Sequence, residues 1–465
     1  MKKWLPIVTI LWLYSGFAQN KQVLYGFDQL PQTLLLNPGA EFGLKKHFGI
    51  PLLSQIHVNA GTSGISAFDI FQVSNTGDIN QRIRQKIFEL TEKDFLTATQ
   101  QLEVFNFGWR RGDNTYLSGG MYQEFDFIFY YPRDAAILTM DGNAPYIGRE
   151  FDLAQAEATA DVLTVYHFGI NRKVSKKLTL GARAKIYSSI VSGRSVGNSA
   201  TFVTNIVAGS PNIYEHTVTA DYEIQSSGIA NAENANSFIK RAFFGGSVGL
   251  GADVGATYKI KDNITATASL LDVGAIFHTS NVENYTVQGS YTTNGIEILF
   301  EEDEDGNPIP YFDDLKDALE EALPFDTNSN SYTQMRPMQA HASLEYSFGR
   351  ALRDTRACNC RNSLRDRDID SPQRTGIQMY TIKRPKGLIS AATLFYSRKF
   401  SRHFAAKATY TIDPYSSSNV GLGISATLGK FNMYMAADNL LRYTNIAKAK
   451  NVSLQLGFNL NFYNE

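Results

Sequence analysis

The chain has 465 residues, of which 43% are hydrophobic and 12% aromatic. Its 44 Lys+Arg and 45 Asp+Glu nearly cancel. This balance argues against a nucleic-acid partner, which needs clustered positive potential. No apolar run beyond the N-terminus is long enough for a membrane-spanning helix. Two cysteines cannot staple a chain of this size, so stability must come from burial and backbone pairing.

The first residues have the pattern of an export signal. Lys2 and Lys3 precede an apolar stretch at 4–14, and the small residues Gly16 and Ala18 follow it. This pattern predicts a signal peptide at residues 1–18. The alternative, an N-terminal membrane anchor, is disfavoured because the stretch is short for a span. We therefore expect an exported protein.

The dominant period of apolar residues along the rest of the chain is two. In the last segment Val452, Leu454 and Leu456 alternate with Ser453 and Gln455. Such alternation predicts strands with one apolar and one polar face. The clearest alternating segments lie at 178–186, 248–258, 404–412, 420–428 and 452–462.

A soluble β-sandwich also alternates, but two details favour a membrane barrel. Several segments reach the length of about 9–11 residues that a tilted membrane strand needs. Their polar faces are rich in small polar residues, with occasional charges at Arg183, Lys185 and Lys407, which is typical of a wet or filled lumen. We predict an all-β fold, a transmembrane antiparallel β-barrel of about 14 strands (roughly 12–16), with short loop helices.

Turns and loops should lie at opposite ends of such a barrel. Tight basic turns are predicted on the periplasmic side, and longer polar connections outside. The tight turns lie at 171–177, 259–263, 397–402 and 429–430, and the long connections at 225–237, 413–419 and 441–450.

Three segments depart from the strand pattern. Residues 19–50 have neither strand alternation nor enough length for a helix. We expect them either to plug the lumen or to form a periplasmic lead-in, with the barrel itself at 51–465. Apolar residues at three- and four-residue spacing predict helices over 77–97 and 312–323.

Two candidate metal sites are weak. Glu301, Asp303 and Asp305 have the spacing of a calcium loop, but Phe312 stands where the loop needs a bidentate glutamate. Cys358 and Cys360 lack the further ligands of a closed zinc site; in an oxidising compartment we expect a local disulfide or no special role. We predict no metal site.

No catalytic constellation is present either. The seven histidines are scattered, with no HExxH, and no GxSxG occurs. Gly249, Gly251 and Gly255 have a glycine spacing like that of a dinucleotide loop, but they lie within an alternating strand, where glycine permits bulges or close packing. The sequence predicts a non-enzymatic protein with no catalytic residue and no cofactor.

Short motifs along the chain carry a family resemblance. They include Leu30 to Pro38 (LPQTLLLNP), Gly249 to Tyr258 (GLGADVGATY), Ser269 to Gly274 (SLLDVG) and Ala437 to Leu440 (ADNL). Together they resemble a Bacteroidota outer-membrane barrel family of unknown function. That family is similar to the PorP/SprF type IX secretion barrels and more distantly to FadL-type channels. The resemblance covers nearly the whole chain after the leader and supplies no catalytic residue.

Two functions are compatible with these features. The first is a structural or accessory component of envelope secretion or assembly machinery, with an envelope protein as partner. The second is a FadL-like channel for a hydrophobic or small polar substrate. Both place the chain in the outer membrane, with lipid around it. In the last strand, we expect Leu456 to face lipid and Gln455 to face the lumen, where arginine would cost little.

Overall fold

The protein forms a closed antiparallel β-barrel of 14 strands, which confirms the predicted fold class and strand number. The computed structural model describes residues 21–463 apart from 42, 72–77, 210–212, 230–234, 295–310, 350–371 and 402. In this part of the chain, no helix is both long and apolar enough to cross a membrane.

Twenty strands build the sheet in the described part of the chain. They are β1 (Lys46–Gly49), β2 (Ile56–Thr62), β3 (Phe95–Arg111), β4 (Thr115–Tyr130), β5 (Glu150–Asp152), β6 (Ala158–Lys173), β7 (Leu178–Ile206), β8 (Tyr214–Ser227), β9 (Ser247–Lys261), β10 (Ile264–His278), β11 (Asn284–Thr293), β12 (Phe325–Asn328), β13 (Tyr332–Met335), β14 (Gln339–Phe348), β15 (Gln373–Arg384), β16 (Gly387–Lys399), β17 (Phe404–Ile412), β18 (Asn419–Leu428), β19 (Phe431–Asp438) and β20 (Asn451–Phe462).

The ring closes where the first strand meets the last. β1 and β2 together occupy one position, since both pair with β20 on one side and β3 on the other. The first strand thus begins at Lys46, inside the 19–50 segment. The order then runs β3, β4, β6, β7, β9, β10, the pair β13–β14, and β15 to β20.

Alternation sets which side chains face inward. On β20, Leu454 is 40% exposed on the outer surface, whereas its neighbour Gln455 is 3% exposed and faces the lumen. The predicted alternating segments at 248–258, 404–412, 420–428 and 452–462 all lie within strands. The outer surface is therefore apolar and the inner surface polar, as the period of two requires.

Tight turns gather at one end of the barrel, here called the turn end, at residues 111–115, 173–178, 261–264, 399–404 and 428–431. The opposite end, the loop end, carries most of the long connections. One pair of connections breaks this rule. The β15–β16 turn at 384–387 is tight and lies at the loop end, while the long connection after β14 leaves from the turn end.

One strand continues far beyond the barrel wall. β7 spans 29 residues; it pairs with β9 from Leu178 to Ser189 and with β8 from Ser192 to Ile206. β8 pairs with β11, β11 with β12, and β5 with the upper part of β7. These strands form a small sheet at the loop end, here called the outer sheet.

The helices are short and lie outside the ladder. They are α1 (Thr33–Leu36), α2 (Ala67–Phe71), α3 (Ile79–Glu89), α4 (Arg133–Asp141), α5 (Ala235–Lys240) and α6 (Tyr311–Ala322). α6 confirms the predicted helix at 312–323. The prediction over 77–97 was too long, since α3 ends at Glu89 and β3 takes up the chain from Phe95, where alternation in Phe95, Thr97 and Thr99 favours the ladder.

Candidate functional site

The described residues of 21–44 (21–41, 43 and 44), here called the lumenal segment, lie inside the barrel. They contact inward-facing side chains from strands on all sides of the ring, which is possible only from within. The contacts include Lys21 with Gln101 on β3, Tyr25 with Thr267 on β10, and Gln22 with Gln378 on β15. The segment is buried over most of its length.

An apolar cluster gives the segment its own core. Leu24, Phe27, Leu30 and Leu36 pack together and against Leu271 of the wall. Each of these four side chains is almost completely buried, and burying a leucine or phenylalanine contributes about 1.5–3 kcal/mol. The sequence LPQTLLLNP thus places its leucines inside the lumen, where strand alternation does not apply.

Wall residues satisfy the carbonyl groups at the end of helix α1. The last carbonyls of a helix have no partner within it. Here Arg183 Nη2 donates to Leu34 O at 2.7 Å, and Ser269 Oγ donates to Leu36 O at 2.6 Å. These bonds fix the position of α1 relative to β7 and β10.

Gln32 ties the segment to the opposite side of the barrel. Its side-chain amide exchanges two hydrogen bonds with the amide of Asn459, at 2.9 and 3.1 Å. It also donates to Glu103 Oε2 at 3.1 Å. All three residues are buried, so losing any one of them leaves unpaired polar groups away from water.

The lumenal segment lies in direct contact with the backbone of the wall at Asn37, Pro38 and Gly39. Asn37 Oδ1 accepts the Gly39 amide at 2.9 Å. A methyl group on wall glycines Gly181 or Gly255 would overlap the Pro38 carbonyl or the Asn37 side chain. The glycine-rich strand β9 therefore serves close backbone packing, as its position within an alternating segment indicates.

Charge pairs hold the segment near the turn end. Asp28 lies 2.6 Å from Arg374 and 3.3 Å from Lys399, measured between carboxylate oxygens and side-chain nitrogens. Arg374 is the second residue of β15 and Lys399 the last of β16, so this pair of contacts spans one hairpin. The lumen is thereby filled from its middle to the turn end.

Above the lumenal segment lies a charged chamber of about 610 Å³, counting space that opens to solvent. Its lining combines apolar side chains, such as Leu35, Leu36 and Leu271, with polar ones that carry both signs of charge. The charged residues are Lys21, Glu124, Asp126, Lys185, Asp272 and Arg384.

Ion pairs fix most of these charges. Arg384 donates to both carboxylate oxygens of Asp126, one of them at 2.7 Å. Lys185 Nζ lies 2.8 Å from Asp272 and 3.0 Å from Asp253. Paired and hydrogen-bonded charges keep their geometry in a low-dielectric interior. The chamber walls are therefore preorganised.

Lys21 differs from the other chamber cations. Its ammonium group donates to the amide oxygen of Gln101. Within the described ranges it makes no ion pair, whereas Lys185 has two carboxylate partners. Lys21 therefore offers the chamber a positive charge that a solute can meet.

A loop narrows the mouth of the barrel at the loop end. Tyr415 reaches inward and contacts the hydroxyl of Thr97 at 2.6 Å. Asp413 holds this loop by accepting the backbone amides of Tyr415 and Ser416 at 2.9 and 2.8 Å. Burial raises the pKa of Asp413 to about 6, against the opposing effect of these hydrogen bonds.

The chamber was only partly visible in the sequence. Lys185 and Arg183 stand out as charges on the polar face of an alternating strand, and the same signal exists for Asp253. Which carboxylate each cation meets depends on strand register and was not predictable from one sequence.

The candidate calcium ligands Glu301, Asp303 and Asp305, and the cysteines Cys358 and Cys360, lie outside the described residues. Among the residues that are described, no group of three or more His, Cys, Asp or Glu side chains has a metal-binding arrangement.

Comparison with known proteins gives one family. A model described as a family of unknown function (DUF5723) matches residues 38–438. No match to a curated protein was found.

Solved structures give distant likenesses. The Ralstonia pickettii toluene transporter TbuX is 10% identical, with 94% of this chain and 95% of that one covered and a TM-score of 0.39. A Pseudomonas aeruginosa FadL homologue is 11% identical, with 97% and 100% covered and a TM-score of 0.42. The translocator domain of NalP from Neisseria meningitidis is 9% identical, with 93% and 94% covered and a TM-score of 0.33. Likenesses at these TM-scores transfer neither substrate nor mechanism.

Proposed function

The chain belongs to the DUF5723 family, and we propose that it is a non-enzymatic outer-membrane barrel that takes up a small polar solute. The location is supported by the outer surface. Large apolar side chains are exposed all around the barrel, among them Phe168, Leu250, Leu344 and Leu394. A soluble protein rarely exposes so continuous an apolar surface, whereas a membrane barrel requires it.

The charged chamber is the observation that carries the proposed transport function. Charged side chains of both signs converge on it, among them Lys21, Lys185 and Asp272. Ion-paired walls and Lys21, which makes no ion pair with a described residue, suit a polar solute that bears an anionic group. Leu35 and Leu36 of the lumenal segment and Leu271 of the wall also line the chamber, so the proposal of a polar solute rests on the charged groups.

In this proposal the lumenal segment is a plug. It blocks the path from the chamber to the turn end, and passage requires that it move or reshape. The hydrogen bonds of Gln32 and the ion pairs of Asp28 hold it closed. The resting barrel should therefore conduct poorly.

Planar-bilayer conductance tests the plug. We expect the wild type to be nearly silent and a variant lacking residues 22–40 to conduct. A heat-modifiable band on gels shows that the deleted variant still forms a barrel. Asp28→Asn, a milder change, should give intermittent openings. If both variants are as silent as the wild type while folded, transport through this lumen is wrong.

A second candidate function is an accessory role in envelope machinery. The outer sheet favours it, because this sheet extends beyond the barrel and contributes nothing to the lumen. Affinity purification from detergent-solubilised membranes tests it, with a variant in which residues 195–224 are replaced by a short linker as control. Recovery of the chain without a stoichiometric envelope partner would count against this role.

A further inference from the structure

The connection between β8 and β9 turns back onto the outer wall of the barrel. After α5, residues Arg241–Gly245, here called the outer-wall segment, lie against β6 and β7. The Phe244 ring stacks on Tyr166 of β6, with ring centres 4.6 Å apart. Tyr166 has the same strand parity as Phe168, which is 50% exposed on the outer surface. The segment is therefore outside the barrel.

A polar residue on the outer wall anchors this segment. Ser188 follows the outward-facing Ile186 by two positions and so faces outward, yet it is completely buried. Its hydroxyl donates to Arg241 O at 2.6 Å and accepts the Phe244 amide at 3.0 Å. The Tyr166 hydroxyl donates to Ala242 O at 3.1 Å. Backbone groups of the outer-wall segment are thus hydrogen-bonded to side chains of the wall.

Arg241 lies at the point where β7 changes its pairing partner from β9 to β8. Pairing with β9 ends at Ser189, pairing with β8 begins at Ser192, and the ladder with β6 skips Ile190. The Arg241 guanidinium, almost completely buried, donates to Ile190 O at 2.6 Å and to Asn281 at 2.9 Å. By hydrogen-bonding the Ile190 carbonyl at this branch point, Arg241 fixes the outer-wall segment in place.

The side of the segment that faces away from the wall is apolar. Phe243 is 59% exposed, and Phe244 and Ile239 beside it are also exposed. Phe244 has a left-handed backbone conformation with φ of 67°, which a non-glycine residue adopts only when its surroundings hold it there. This patch continues the apolar surface of Tyr166 and Phe168.

We propose that the outer-wall segment inserts into the lipid bilayer, with Phe243 and Phe244 among the acyl chains. This inference rests on the proposed membrane location of the barrel. Its partner is the hydrocarbon of the leaflet nearer the loop end. The segment covers the buried Ser188 hydroxyl, which lipid could not satisfy, and presents aromatic rings in its place.

Tryptophan fluorescence in vesicles of brominated phosphatidylcholine tests the insertion. Trp4, Trp12 and Trp109 are first replaced by phenylalanine, and single tryptophans are then introduced as Phe243→Trp, Phe168→Trp and Phe325→Trp. Phe325 lies in the outer sheet and is 65% exposed, close to the exposure of Phe243, so it is the matched control in water.

We expect bromine in the acyl chains to quench F243W to about the same extent as F168W, with emission at short wavelength, and to leave F325W unquenched. Aqueous iodide should quench only F325W. If F168W is quenched but F243W behaves like F325W, the segment does not enter the bilayer and the inference is wrong. If F168W is also unquenched, the membrane location itself is wrong, and the inference is wrong with it.

Discussion

Two segments of this chain leave the strand ladder and lie flat on the barrel wall, one inside and one outside. The lumenal segment meets the wall through buried amides and ion pairs such as Asp28 with Arg374. The outer-wall segment meets it through Ser188, the buried Arg241 and the stacking of Phe244 on Tyr166, and it leaves Phe243 exposed. In both segments, backbone polar groups form hydrogen bonds with side chains of the wall. Their other sides differ, because the lumenal segment lies against a charged chamber and the outer-wall segment exposes a phenylalanine.

The largest expected effect comes from placing the same charge on each side of one strand. Leu456→Arg puts a cation on the outer face of β20 near its middle, which costs roughly 2–4 kcal/mol in a membrane barrel. We expect this variant to lose the heat-modifiable band of the folded barrel.

We expect Gln455→Arg to disturb the lumenal segment and not the barrel. The sequence alone suggested that a lumenal position accepts arginine cheaply, but Gln455 is 3% exposed and packs beside Tyr434. Overpacking of this kind costs roughly 1–3 kcal/mol. We expect the barrel band to remain and the lumenal segment to become sensitive to protease. Loss of the band in both variants would contradict the assignment of opposite faces.

These two positions also show what a single sequence can predict. Strict alternation at Leu454, Gln455 and Leu456 gave the strand and its faces, because period two is a local property of the backbone. A plug was one of two alternatives for residues 19–50, but its contacts were not predictable, since the hydrogen bonds of Gln32 reach Asn459, 427 positions away. Likewise, nothing local in β7 indicates that it exchanges β9 for β8 after Ser189.

A smaller effect is expected where the backbone of the lumenal segment touches the backbone of the wall. Gly181→Ala places a methyl group against the Pro38 carbonyl, so the segment must shift, at a cost of roughly 1–3 kcal/mol. Hydrogen exchange at residues 33–40 should become faster.

Gly193→Ala is the matched control on the same strand. Its added methyl group would meet Ile229 at 3.6 Å, an ordinary contact, and its exchange pattern should equal that of the wild type. Equal behaviour of the two variants would mean that the segment does not depend on close approach at Gly181.

The corresponding change on the outside is Ser188→Ala. It removes the hydroxyl that bonds Arg241 O and the Phe244 amide, and two buried backbone groups lose their partner at about 1–3 kcal/mol. Amide exchange at Phe244 should accelerate while the barrel stays folded. Ser199→Ala, at an exposed position of the outer sheet on the same strand, should change nothing. Protection at Phe244 that survives Ser188→Ala would show that Arg241 and Tyr166 hold the segment without Ser188.

The smallest effect concerns the loop at the mouth, which belongs to neither segment and lies above the chamber. Burial raises the pKa of Asp413 from 3.8 to about 6, so the folded loop binds a proton more tightly than the unfolded chain. The stability from this protonation is fully present below the unfolded value and is lost as pH rises through about 6. We expect amides 415–418 to be better protected at pH 5 than at pH 7.5, after correction for intrinsic exchange. Asp413→Asn keeps an acceptor oxygen for the Tyr415 and Ser416 amides but has no proton to lose, so its protection should be the same at both pH values. A pH dependence that persists in this variant would assign the titration to another group and leave Asp413 as a simple turn residue.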